Sequence, residues 1–268
     1  MTITVAGHPE MSGAMVYGYD GKRRLNSETF TGLLGYTQTY AMDAAGNLLT
    51  YQTTPSLYSW SDTSTFSGAD SLNGYQPASS PPQSITYDPR GNPTGYRNGL
   101  ALGYDQDGHL TSATGTTGTM TAGYSADGRR IWKLTAAGKT FYLYAGDTLV
   151  GECLSGGTLT AMNMVGPTGL LCRWESAWPD THYYLYDPLG NVVQRLGSDG
   201  ETVLSVEQYD AWGRTINGVG DPTDPIGYKG LYGYYTEQDF PDPVKLILCT
   251  HRYYDPCLVK WDRAFSLL

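Results

Sequence analysis

Two six-residue stretches, Tyr87-Asp88-Pro89-Arg90-Gly91-Asn92 and Tyr186-Asp187-Pro188-Leu189-Gly190-Asn191, constrain what this chain can fold into more than any other feature. Each reads as the end of an outgoing strand, a Tyr, followed by an Asp whose carboxylate accepts backbone N–H groups two residues on. Proline then presets φ for the first central turn position, and glycine supplies a residue free to take positive φ. That is the chemistry of a hairpin. Looser copies stand at Tyr19-Asp20-Gly21-Lys22, from Tyr40 to Asn47, at Tyr104-Asp105-Gln106-Asp107-Gly108, at Tyr124-Ser125-Ala126-Asp127-Gly128-Arg129 and at Tyr209-Asp210-Ala211-Trp212-Gly213-Arg214. The period is roughly 20 residues, which holds two strands of about seven residues, each roughly 23 Å long, and two turns. A unit that small cannot bury its own face, so the repeats must stack on their neighbours.

Composition agrees with a turn-rich β protein: charged residues are 16%, and the chain has 34 Gly and 23 Tyr. The formal net charge of −9 argues against nucleic acid or anionic lipid as a partner. The two short basic runs, Lys22-Arg23-Arg24 and Arg129-Arg130, follow or include a turn and read as solvated strand starts. No run of about 18 apolar residues is present, so no transmembrane segment is expected, and Met1 to Glu10 lacks the basic start and apolar core of a secretory signal. Cys153, Cys172, Cys249 and Cys257 form no C-x-x-C pair and no zinc-type spacing with His; they read as buried thiols, their disulfide state open.

Along the chain, residues 1–49 read as weak early repeats. Residues 50–83 are rich in Ser, Thr, Asp, Gly and Pro, with Leu57, Trp60, Phe66, Leu72 and Tyr75 thinly spread, and read as a polar insertion or linker. From residue 84 to 261 hairpins are expected in series, among them Leu100 to Tyr104, Arg130 to Leu134, Thr140 to Tyr144, Thr148 to Glu152, His182 to Tyr186 and Val192 to Leu196. Residues 262–268 form a short divergent tail.

The chain resembles RHS (rearrangement hot spot) or YD-repeat proteins, the group that includes the shell of bacterial insecticidal toxin complexes and teneurins. The likeness covers about Ser84 to Trp261. It is carried by Tyr186 to Arg214, similar to the family's YDPLGN and YDAWGR elements, and by Ile226 to Tyr235 with Leu246 to Pro256, similar to its GYKG and LILCTHRYYDP ending. The resemblance implies an all-β fold in which repeated hairpins form a curved, spiralling sheet, a partial β-shell. It also implies a bacterial, secreted or cell-surface setting, with other shell segments or a toxin cargo encoded elsewhere as partners. In toxin members a C-terminal cargo is released by an intramolecular aspartyl protease whose acidic residues lie in DPxG elements after the RYYDP stretch. Here Val259-Lys260 stands before Trp261 and no later DPxG follows, so the cleavage segment and cargo are expected to be missing.

The expected role is therefore a non-catalytic structural scaffold, with no catalytic, cofactor-binding or metal residue assigned. Two other readings follow from particular residues. A relic self-processing protease would use Asp224 of Asp224-Pro225-Ile226-Gly227 with Asp221, Asp255 or Asp262, two carboxylates sharing a proton; the plainer reading of Asp224 is a turn Asp before a strand. An adhesion or carbohydrate-binding protein would display rows of Tyr and Trp to cell-surface glycans or proteins, whereas packed Tyr ladders would serve the scaffold. Cys249 and His251 near Asp255 suggest a nucleophile pair, but positions i and i+2 of a strand point in parallel. Asp107, Asp127 and Asp199 beside Gly could suggest calcium, yet turn formation accounts for them.

Overall fold

The computed structural model describes residues 2–4, 7–54, 61–66, 71–77, 81–177, 180–220, 223–238 and 245–261. The fold is all-β, with three antiparallel sheets in chain order. Eight strands from Thr2–Ile3 to Gln83–Ser84 form the first sheet, and fourteen from Thr86–Tyr87 to Thr215–Gly220 form the second. The third has four strands, Tyr235–Thr236, Ile247–Cys249, Arg252–Asp255 and Lys260–Trp261. In every sheet each strand pairs with its sequence neighbour, as a chain of hairpins requires.

The repeat residues build each turn as their chemistry dictates. In the Asp88 turn Oδ1 accepts from the N–H groups of Arg90 and Asn92 at 2.9 Å, while Oδ2 accepts from Asn92 Nδ2 at 2.9 Å. The Asp187 turn repeats this with Leu189 and Asn191. The turn glycine has positive φ, +85° at Gly91 and +83° at Gly190. Arg23, with φ of 63°, holds that position in the Asp20 turn. Beside the turns the ladder slips by one residue, between Gly18 and Tyr19, Gly103 and Tyr104, Gly123 and Tyr124, Leu143 and Tyr144, Leu185 and Tyr186, and Gln208 and Tyr209. A bulge adds local twist and bend, and bulges repeated beside one turn after another curl the sheet.

Two kinds of stitch tie several hairpins to their neighbours. The tyrosine before a turn donates its hydroxyl to a carbonyl 14 to 16 residues earlier: Tyr87 to Leu72 at 2.6 Å, Tyr124 to Leu110 at 2.9 Å, Tyr144 to Arg130 at 3.1 Å and Tyr186 to Leu170 at 2.8 Å. At the other end, turn arginines reach forward to the backbone of the next turn, Arg24 to Asp43 at 2.6 Å, Arg90 to Gln106 at 2.8 Å and Arg129 to Gly146.

The structure corrects two local expectations. The stretch read as a polar insertion carries strands Ser61–Phe66 and Leu72–Gln76 in the first sheet, because Leu72, Tyr75 and Asp62 turn to a buried side where Tyr75 donates to the Asp62 carboxylate at 3.0 Å. The second concerns the run of hairpins in a single sheet. After Gly220 the described chain leaves that sheet, makes a short 3-10 turn at Gly230–Tyr232 and builds the third sheet. Leu57, Trp60 and the 262–268 tail lie outside the described residues.

The third sheet and the loop before it pack on the second sheet. Leu100, Leu102, Leu110, Met120, Tyr142, Leu170, Tyr184 and Val192 from the second sheet form one core with Ile226, Tyr235, Leu246, Leu248 and Tyr253. The loop sits on the turns themselves: a Cβ at Gly190 would lie 2.5 Å from the Tyr232 ring, and one at Gly213 would lie 2.6 Å from the Tyr228 ring. The curl also returns on itself. Ile216, from the last strand of the second sheet, packs with Met15, Phe30 and Tyr36 of the first, and Trp212 packs with Tyr40, Leu48 and Tyr51.

Candidate functional site

The chemistry of this molecule is concentrated on the buried side of the second sheet, facing the C-terminal segment. Strand Arg130–Thr135 turns Arg130 and Lys133 inward, and strand Gly169–Glu175 turns Arg173 inward. Burying a charge is costly unless it is paired and hydrogen-bonded, and each of these cations is. Glu237, fully buried, accepts from Arg130 Nη1 and from Lys133 Nζ at 2.9 Å. Tyr253 is donated to by Arg130 at 2.7 Å and donates to Glu237 at 3.2 Å. Arg173 donates to Glu152 at 2.7 Å, to Glu175 at 2.7 Å and to Asn163 at 3.0 Å. Tyr235 joins the two groups, donating to Glu152 at 3.4 Å while its ring lies 5.4 Å from the Arg130 guanidinium. Arg130, Lys133 and Arg173 thus meet Glu237, Glu152 and Glu175, three cations against three carboxylates.

Electrostatics follow this geometry. Burial pushes the Glu237 carboxyl up, but Arg130 and Lys133 overcome it and hold it below the usual carboxylate value. Burial lowers the Arg173 guanidinium, yet Glu152 and its neighbours leave it well above its ordinary value. Tyr142, whose ring lies 4.3 Å from the Arg130 guanidinium, is pushed up to about 12 by burial. A cavity of about 440 Å³ remains beside this cluster, lined by Tyr142, Tyr144, Leu231, Tyr232, Tyr235 and other residues.

The carboxylates named from sequence are dispersed. Asp224 accepts from Arg195 at 2.8 Å, from the Tyr184 hydroxyl at 3.0 Å and from the Ile226 N–H at 2.8 Å. Asp255 forms a two-pronged pair with Arg97, at 2.6 and 3.0 Å, and accepts from the Cys257 N–H at 2.8 Å. Each carboxylate is bonded to an arginine and a backbone N–H; Asp221 and Asp262 lie outside the described residues. Cys249 and His251 do not share a strand face, because Thr250, with φ of 57°, and His251 form the turn between two strands. All four cysteines are free thiols.

Asp105, Asp107 and His109 bring ligand atoms within 4.8 Å of one another. Their bonds are those of the repeat turn, with His109 Nδ1 at 2.9 Å from Asp105 where Asn92 bonds Asp88. Asp199 accepts from the N–H groups of Glu201 and Thr202, and Asp127 pairs with Arg129. The basic runs divide: Lys22 donates to Ala44 and Arg24 to Asp20 and Asp43, whereas Arg130 is buried instead of standing at a solvated strand start. Arg130 and Lys133, three residues apart, share the buried side only because the ladder slips between Arg130 and Trp132, which nothing in the sequence announces. Of the tyrosines, Tyr36, Tyr40, Tyr51, Tyr75, Tyr142, Tyr184, Tyr228, Tyr235, Tyr253 and Tyr254 are buried, while Tyr19, Tyr87, Tyr183 and Tyr232 are exposed and the other described ones half-buried.

No family model and no curated protein matches this chain. Solved structures do. A complex described as TcdB2-TccC3-Cdc42 aligns over 93% of this chain with a TM-score of 0.70 and 19% identity. The Tc holotoxin pore of Photorhabdus luminescens aligns over 94% with a TM-score of 0.55 and 16% identity, and a TcdB2-TccC3 complex over 93% with 0.51 and 16%. At these identities the likeness shows a shared fold. The chain spans 14% of the first of those chains and 17% of the other two. No helix among the described residues is long and apolar enough to cross a membrane.

Proposed function

We propose that the chain is a non-catalytic wall segment of an RHS/YD-repeat shell, belonging to a toxin-delivery or cell-surface protein and working beside further shell segments and an enclosed cargo. The observation that carries the reading is the series of stitched hairpins curling round a charged interior, aligned over 93% of its length with a toxin-complex structure. Supporting it, only four of the described tyrosines that a glycan-binding face would display, Tyr19, Tyr87, Tyr183 and Tyr232, are exposed. Asp224 and Asp255, one of the pairings a self-processing dyad could use, are each bonded to an arginine. Each of the three sheets ends in edge strands, which further segments of a shell would cover.

Two measurements test this. Intact-mass analysis of the purified chain across the pH range should return 29.2 kDa throughout; fragments ending near Asp224 or Asp255 would replace the scaffold with a self-processing protein. Light scattering should show defined self-association or capture of an adjoining shell segment, while a monomer that binds glycans through surface rings would favour the adhesive reading.

A further inference from the structure

Where the curl returns on itself, the seam holds more acid than base. Glu28 is fully buried in the first sheet, paired in register between Tyr17 and Gln38, and it accepts from the Tyr36 hydroxyl at 3.2 Å and from the Ala211 N–H at 2.7 Å. Asp210, the residue before Ala211 and equally buried, accepts from the N–H groups of Trp212 and Arg214 and from the Tyr51 hydroxyl. The bond from Ala211 to Glu28 crosses from one sheet to the other and places the two carboxyls on either side of one peptide. The other charged groups facing this seam, among the described residues, are Arg214 and Asp62, already paired at 2.8 Å, with Asp187 beyond Tyr17. Tyr17, Tyr36, Tyr40, Tyr51, Tyr75 and the Cys257 thiol also titrate here, as do Tyr228 and Tyr254, which donate to the Ala211 carbonyl at 3.3 Å and the Trp212 carbonyl at 2.8 Å. One guanidinium faces three acids. With Arg214 shared between Asp62 and Asp210, two buried carboxyls set about one peptide favour keeping a proton over ionising together.

We propose that this seam is a proton-dependent latch: the start of the array docks on the Val203–Gly220 hairpin while the Glu28–Asp210 pair holds a proton, and releases it when that proton passes to solvent in mildly alkaline medium. Burial first, and then Asp210, raise Glu28 from 4.5 to about 8, and burial raises Asp210 too. Between those two values the folded chain keeps a proton that the unfolded chain has released. Stability therefore falls as pH rises through this window, and the loss is complete above the folded value.

Hydrogen exchange on the full chain at about pH 6 and about pH 9, corrected for the intrinsic rate, reads the latch. Protection at Leu25–Phe30 and at residues 211–214 should fall about tenfold or more at the higher pH, while Ile247–Cys249 stays protected. Glu28→Gln, which keeps the acceptor without the charge, should show no such fall. Unchanged seam protection in the wild type, or the same fall in Glu28→Gln, would overturn the proposal. Should Glu28→Gln not fold, Asp210→Asn relieves the same repulsion, and infrared spectroscopy of the wild type reads the proton directly. A protonated-carboxyl band must be present at about pH 6 and vanish through about pH 8; its absence at the lower pH would also sink the idea.

Discussion

Removing the Glu237 carboxylate should cost this protein a large share of its stability. Glu237 stands between two buried cations, and Glu237→Ala would remove the carboxylate that Arg130 and Lys133 share. Breaking a buried ion pair from one side costs about 3–5 kcal/mol, chiefly the uncompensated desolvation of the remaining charge. Here two buried charges lose a shared partner at once, so the upper part of that range applies. Against a total of roughly 5–15 kcal/mol for a folded domain, the variant should show a much lower urea midpoint at neutral pH with little change in slope. The triple variant Arg130→Met, Lys133→Met, Glu237→Leu removes all three desolvation costs and should recover most of the loss. A single variant within about 1 kcal/mol of wild type, or a triple variant no better than the single, would refute the claim that buried charge compensation holds the C-terminal segment in place.

Arg23 is exposed and takes the left-handed conformation that glycine fills in the sister turns, so Arg23→Gly should raise stability by about 1 kcal/mol, read as a higher denaturation midpoint. Tyr186→Phe deletes one inter-hairpin stitch and should cost about 1 kcal/mol, with faster exchange at Leu170 and its neighbours. The pH profile of stability should fall at both ends. Glu237 is held below its usual value, so its contribution is present above the unfolded carboxyl pKa and is lost as pH falls through the lower folded value; Glu28 acts in the opposite sense at the alkaline end. Glu237→Gln should flatten the acid limb and leave the alkaline limb intact.

The turns were legible from sequence because their chemistry is local: Asp, Pro and Gly at fixed offsets decide the backbone with little help from the rest of the chain. Strand Ser61–Phe66 was not, since its polar residues alternate with no aliphatic partner and its buried residue is an aspartate whose partners, Tyr75 and Arg214, lie 13 and 152 residues away. The segment from Ile226 to Tyr235 has strand-like residues but leaves the ladder, with Lys229 and Gly233 in the left-handed region and its rings seated on the turn glycines. Neighbouring Arg129 and Arg130 are chemically the same, yet Arg129 closes the turn with Ser125 while Arg130 pairs with Tyr124 in the ladder and is buried.

That inversion bears on how the fold keeps its register. Strand Arg130–Thr135 turns Arg130 and Lys133 to the buried side while Ile131 and Leu134 stand exposed, so apolar patterning does not favour the observed face of this strand. A one-residue slip would exchange the faces of a whole strand. What forbids it is the fixed position of Glu237 opposite Arg130 and Lys133, and of Glu152 opposite Arg173, because a slipped strand would strand a buried carboxylate without its cation. The triple hydrophobic variant separates the two roles: it should keep its denaturation midpoint yet lose the single register, giving doubled or broadened amide resonances along Arg130–Thr135 and Gly138–Ala145. One sharp set of resonances for those strands would show that packing alone sets the register and that the ion pairs contribute only stability.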